Sequence, residues 1–187
     1  MLATHHDVQD KARDEVQKVF KANDGEISAD VVLNQLPHLS AVVKETLRLF
    51  PPVGVAMPRV TTTAMTLGPL RVPAKTPLMV VGWVAMRSEK TWGEDAKMFR
   101  PERFLKGSLG PAGDDVRAMA SSVSVFDPLP DGSFLTFGGG IRFCMGRKLA
   151  SLEIVTSSLC CFKRSSLICF LSTSKPRRGI GRPISCR

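Results

Sequence analysis

The sequence predicts a mainly α protein with small β-sheets, an α+β fold, on three observations. Apolar residues recur at helical spacing near both ends of the chain. The middle carries short β-like runs broken by Gly and Pro. A glycine-rich loop leads directly into the last helical stretch. With 187 residues, 43% of them hydrophobic, the chain is long enough for one domain with a core.

In chain order, Val8, Ala12, Val16, Val19 and Phe20 place an amphipathic helix over residues 7–20, and Asn23-Asp24-Gly25 ends it. A second helix follows Pro37, with Leu39, Val43, Leu47 and Phe50 on one stripe, and Pro51-Pro52 stops it. Residues 57–81, interrupted by Gly68-Pro69, Pro73 and Pro77, read as strands of a small sheet. A short helix is expected over residues 83–90. Residues 105–133, rich in Gly, Ser, Pro and Asp, read as a long irregular loop. The glycine-rich loop covers Phe134 to Cys144, and Leu149, Leu152, Val155 and Leu159 mark a final amphipathic helix. No internal repeat is present. Residues 163–187 show no clear period and read as a disordered basic tail, which leaves residues 1–162 as the folded domain.

The net charge of +9 would ordinarily suggest nucleic acid or an anionic membrane. Seven basic residues and no acidic one fall at or after Lys163, however, so the body is nearly balanced and no nucleic-acid partner is expected. No apolar run is long enough to cross a membrane. The start of the chain lacks the basic and apolar segments of a signal peptide and runs straight into a helical pattern, as if it opened within a domain. The five cysteines form no C-x-x-C pair, which argues against a zinc site or a disulfide framework. Cys160, Cys161, Cys169 and Cys186 are expected to be reduced, buried thiols. Cys144 is set apart by its surroundings.

Phe137-Gly138-Gly139-Gly140-Ile141-Arg142-Phe143-Cys144-Met145-Gly146 fits F-x-x-G-x-R-x-C-x-G at every defined position. A thiol that must stay ionised needs positive surroundings. Cys144 precedes a helix, whose free N–H groups and macrodipole favour negative charge. The glycines allow a tight turn and close approach to a flat ligand. Arg142 can pair with an acidic group on that ligand. A phosphate cradle fails, because Gly146 is followed by Arg147-Lys148 rather than by the ending of G-x-x-x-x-G-K-S/T. A nucleophilic cysteine lacks a local histidine signature, His5, His6 and His38 all lying elsewhere. An inert buried cysteine would not explain so long a motif.

Lys44-Glu45-Thr46-Leu47-Arg48-Leu49 places Glu45 and Arg48 at i, i+3 on the second helix, nearly opposite its apolar stripe. Taken alone, this is an ordinary surface ion pair of little energetic weight. Further on come Phe99-Arg100-Pro101-Glu102-Arg103-Phe104, with Arg103 lying 41 residues before Cys144.

With these motifs in this order, the chain resembles the cytochrome P-450 family over residues 2–162. The resemblance implies the C-terminal part of that fold, incomplete. It makes Cys144 the axial ligand of haem b iron and gives Arg142 a haem propionate. Phe137 then packs beside the thiolate, with Gly138 and Gly146 shaping the loop. It also implies a buried triad of Glu45, Arg48 and Arg103 on a helix with both faces covered. Arg59, in Met57-Pro58-Arg59-Val60, is either a contact to the second propionate or a solvated strand arginine. Val55 and Ala56 would face the substrate, and Met86 stands where many members have histidine.

The implied activity is that of an oxidoreductase inserting one oxygen atom from O2 into an apolar organic substrate. Electrons would come from NADPH through a reductase partner. The long upstream helix with its acid–alcohol pair and the closing hairpins downstream are missing, and typical members are more than twice this length. The chain is therefore expected to be truncated, and the Glu45–Arg48 face to lack helices to pack against. The alternative function is a non-catalytic remnant that binds haem weakly or not at all. The sequence assigns no location; full-length eukaryotic relatives are typically anchored in the endoplasmic-reticulum membrane.

Overall fold

Residues 1–26, 28–105 and 134–164 are described by a computed structural model. After a 3-10 turn at Leu2–Thr4, helix α1 (His6–Ala22) buries Val8, Ala12 and Val16. Their four-residue spacing keeps them on one face. Asn23 ends α1, its side-chain amide donating to Val19 O at 2.8 Å. Helix α2 (Ala29–Asn34), absent from the sequence expectation, starts at Ser28, whose hydroxyl accepts from Val31 N at 3.3 Å.

Helix α3 (Pro37–Leu49) begins with a proline, and no side chain of its own N-cap residue bonds its first turn. The cap comes from α1 instead. The Glu15 carboxylate accepts from His38 N and Leu39 N, each at 2.9 Å, and so satisfies two of the free N–H groups of a helix start. Leu39, Val43 and Leu47 are buried as expected, but Phe50 is 53% exposed. The helix stops at Leu49 because Pro51 disfavours the α conformation at the preceding residue, and Phe50 swings out at φ −130°.

The middle segment forms two antiparallel ribbons rather than one sheet. Strand β1 (Arg59–Val60) pairs with β4 (Pro77–Leu78), and β2 (Met65–Leu67) pairs with β3 (Leu70–Val72). Gly68 turns the second ribbon at φ +55°, which a residue without Cβ adopts cheaply. The helix expected over 83–90 is two short ones, α4 (Gly82–Ala85) and α5 (Glu89–Trp92). Pro101–Phe104 and Gly140–Arg142 are 3-10 turns, and α6 (Arg147–Arg164) closes the described chain.

The core joins α1, α3 and α6 through Ala12, Leu36, Leu39, Val155 and Phe162, with Met86, Trp92, Phe104 and Phe134 filling its other side. The last three form an aromatic chain with ring centroids 5.9 and 5.8 Å apart. On α6 the buried residues are Ser151, Val155, Leu159 and Phe162, whereas Leu149 is 63% exposed. Ser151 tolerates burial because its hydroxyl donates to Arg147 O within the helix. Cys160 and Cys161 are exposed, contrary to expectation, because about 100° per residue turns them away from Leu159 and Phe162. Of the loop expected over 105–133 and the tail expected over 163–187, residues 106–133 and 165–187, with Cys169 and Cys186, lie outside the described residues.

Candidate functional site

Glu45 and Arg48 are both fully buried. Arg48 donates from Nε to Glu45 Oε2 at 2.7 Å and from Nη2 to Oε1 at 2.9 Å, a two-point pairing matched to the planar fork of arginine. Arg103 Nε reaches Glu45 Oε1 at 3.0 Å, and Arg100 N donates to the same oxygen at 2.9 Å. The remaining donors of Arg48 find the carbonyls of Met86 (2.6 Å), Ala96 (2.7 Å) and Met98 (3.3 Å), and its guanidinium lies 4.9 Å from the Trp92 ring.

Asp95 supplies a second carboxylate, accepting from Arg103 Nη1 at 3.3 Å and Arg100 Nη1 at 2.7 Å. Burial pushes the Asp95 carboxyl up, but its bond from Arg100 and the charge and bond of Arg103 outweigh that and hold it below the usual carboxylate range. The expectation that the Glu45–Arg48 face is left bare for want of helices to pack against is therefore overturned. Residues 86–103 of the same chain cover it, and their carbonyls satisfy the charges that burial strips of water.

The glycine-rich loop descends from the buried ring of Phe134. Gly138 (φ +71°) and Gly140 (φ +67°) take left-handed conformations that a side chain would strain. Gly138 N donates to Leu135 O at 3.0 Å, and Phe143 N to Gly140 O at 3.3 Å. Cys144 N then donates to Phe137 O at 2.8 Å, which closes the loop and holds the thiol at the foot of α6. Cys144 is exposed, Phe137 is half-buried against the core, and Arg142 and Gly146 are exposed. A Cβ at Gly146 would stand 3.8 Å from the Cys144 sulfur. Arg147, in the first turn of α6, lies 4.2 Å from the Phe143 ring.

Arg59 is exposed on β1 opposite Leu78, and Val55 and Ala56 are exposed. Ala56 N donates to Val80 O and Trp83 N to Gly54 O, each at 2.9 Å, which ties this segment to α4. Gly82 is where α4 meets both neighbours: a Cβ there would touch Gly54 O at 3.7 Å and Leu135 Cβ at 3.8 Å.

The structure thus brings Glu45, Arg48 and Arg103 into contact and gathers residues 137–146 into one loop, while Arg59 and Arg142 make no ion pair among the described residues. Sequence reasoning missed Asp95, the backbone of Arg100, and Thr136. It also missed Arg87, which bonds Leu49 O and stacks 4.0 Å from the Trp83 ring. Burial, then the charge of Arg48, lowers the pKa of Arg87. Only Thr136 carried a local signal, as the residue immediately before the loop motif.

Among the described residues, no cluster of three or more His, Cys, Asp or Glu could hold a metal. One exposed thiol, exposed arginines and the exposed apolar Ile141 and Phe143 fit a flat iron cofactor with an apolar face and acidic edges, as haem has.

No helix among the described residues is long and apolar enough to cross a membrane. The family model for cytochrome P450 matches residues 1–167. Cytochrome P450 71A24 of Arabidopsis thaliana is 33% identical over 160 residues, which are 84% of this chain and 29% of that protein. Cytochrome P450 72A552 of Barbarea vulgaris is 34% identical over 167 residues, 89% of this chain and 29% of that protein. Cytochrome P450 714C3 of Oryza sativa subsp. japonica is 35% identical over 155 residues, 82% of this chain and 26% of that protein. The chain spans less than a third of the length of these relatives. Its family match and the α+β architecture agree, and the chain belongs to the cytochrome P450 family of haem-thiolate monooxygenases.

Proposed function

We propose that this chain supplies the thiolate side of the haem site of a P450 monooxygenase, with Cys144 as the axial ligand. The observation that carries the reading is the closure of the loop by Cys144 N on Phe137 O, which presents an exposed thiol just before α6. Arg142, and Arg59 on β1, are the residues assigned to the cofactor's acidic edges, and Val55 and Ala56 to an apolar substrate. Glu45, Arg48 and Arg103 hold α3 against residues 86–103 beneath the loop. Bound there, thiolate-ligated haem iron would supply cleavage of the O–O bond: one oxygen atom would enter the substrate and the other would leave as water, with two protons and with two NADPH electrons delivered by a reductase.

A second reading is favoured by the exposure of Ile141 (97%) and Met145 (92%) beside Cys144. A cofactor lying on so open a surface leaves apolar area in water, so this chain by itself binds haem weakly and does not sustain turnover. The deciding experiment adds haem to the wild-type chain and to Cys144→Ser. Reduction under CO should give a red-shifted, thiolate-type Soret band in the wild type only, since a neutral hydroxyl is a poor donor to iron. The same band in Cys144→Ser would refute the ligand assignment. Product from apolar substrates with reductase and NADPH, lost in Cys144→Ser, would decide against the second reading.

A further inference from the structure

We infer that Thr136 is a positioning residue for the cysteine loop: its hydroxyl takes the place of a backbone donor that Pro51 removes from the end of α3. In a continuing helix, the Leu47 carbonyl would accept from the N–H of residue 51, and residue 51 is a proline. Leu47 is 7% exposed, so water is a poor substitute, and a buried carbonyl without a donor is costly. Thr136, 8% exposed and 89 residues away in sequence, donates from Oγ1 to Leu47 O at 3.3 Å. The same hydroxyl lies 3.5 Å from Met86 Sδ, and Met86 is fully buried with its carbonyl accepting from Arg48 Nη1 at 2.6 Å. The neighbouring end carbonyl, Leu49 O, receives Arg87 in the same way.

One hydroxyl therefore docks the loop onto the ion-paired helix. The residue after it, Phe137, offers the carbonyl that accepts from Cys144 N, and Leu135, just before it, accepts from Gly138 N. Freeing Thr136 releases both closures at once, so the sulfur loses its fixed position relative to α3. The inference rests on the proposed haem role only in what the loop is for; the docking itself is a property of the protein without cofactor.

The test measures amide hydrogen exchange at Gly138 and Cys144 in the 187-residue chain without haem. Thr136→Val keeps the shape and removes the donor, and should speed exchange at both amides roughly fivefold, the effect of losing one hydrogen bond. Thr136→Ser should restore protection, and the Asn23 amide, bonded to Val19 O at the far end of α1, should not respond. Pro51→Ala restores an N–H at residue 51 and lifts the constraint that holds Phe50 out of the helix, so α3 can extend until that N–H reaches Leu47 O, and Thr136→Val should cost less in that background. With haem added, the thiolate-type share of the reduced CO spectrum should fall in Thr136→Val and recover in Thr136→Ser.

Unchanged exchange in Thr136→Val, equal acceleration at every amide, or a Ser variant no better than Val would overturn the inference. If Thr136→Val does not fold, the Pro51→Ala/Thr136→Val pair decides: recovered protection supports the docking, and continued failure overturns it. The exchange arm needs no cofactor, so it can fail while Cys144 remains the ligand, and it can succeed where the Cys144→Ser experiment fails.

Discussion

Glu45→Ala puts the buried network to its hardest test. The carboxylate accepts four hydrogen bonds, from Arg48 Nε and Nη2, Arg103 Nε and Arg100 N, at 2.7–3.0 Å. Its removal leaves Arg48 without its anion inside the protein, while Arg103 keeps Asp95 at 3.3 Å. Breaking one partner of a buried pair costs about 3–5 kcal/mol. A domain of this size has a total stability of about 5–15 kcal/mol, so the loss is a large share of it. Glu89→Ala is the matched control, because the Lys97–Glu89 pair is 73% and 58% exposed and such pairs are worth about 0–1 kcal/mol. Urea unfolding of wild type, Glu45→Ala and Glu89→Ala gives the comparison directly. If Glu45→Ala lies within about 1 kcal/mol of the control, the network is not energetically buried and the packing argument is wrong.

Glu15 gives a pH-dependent prediction. Burial, the larger cause, raises its pKa above the ordinary 4.5, against the pull of the His38 and Leu39 N–H groups and the charge of His38. A carboxyl whose folded pKa is raised binds its proton more tightly in the folded state, so its ionisation subtracts stability as pH rises from about 4.5 through the folded value. Glu15→Gln, which cannot ionise, should therefore gain on the wild type in melting temperature across that window. A constant difference between the two would remove the burial argument. Cys160 and Cys161 should react with a thiol reagent in the folded chain, since both are exposed; protection until denaturation would contradict the placement of α6.

The loop motif around Cys144 was legible because its chemistry is local: glycines, an arginine and a cysteine at fixed spacing, read without knowing what they touch. The helices of α1 and α3 were legible for the same reason, their apolar period being written in consecutive residues. Glu45 and Arg48 were different. Their i, i+3 spacing announces a pair but not where it lies, and residues alone favour a solvated surface. Only the return of residues 86–103, whose carbonyls and Arg103 close over α3, makes the pair buried. The apolar period misplaced Phe50 on the buried stripe, although Pro51, one position away, is what turns it outward. The inward turn of Ser151 and the exposure of Leu149 were not legible, because which face of α6 meets α1 and α3 is chosen by the shape of the assembled core. The sequence by itself determined the family and the helix period, and it drew attention to the loop motif that holds Cys144. The tertiary structure alone decided which charges lose their water and which donors replace it, since desolvation depends on every group that surrounds a side chain and not on its neighbours in the chain.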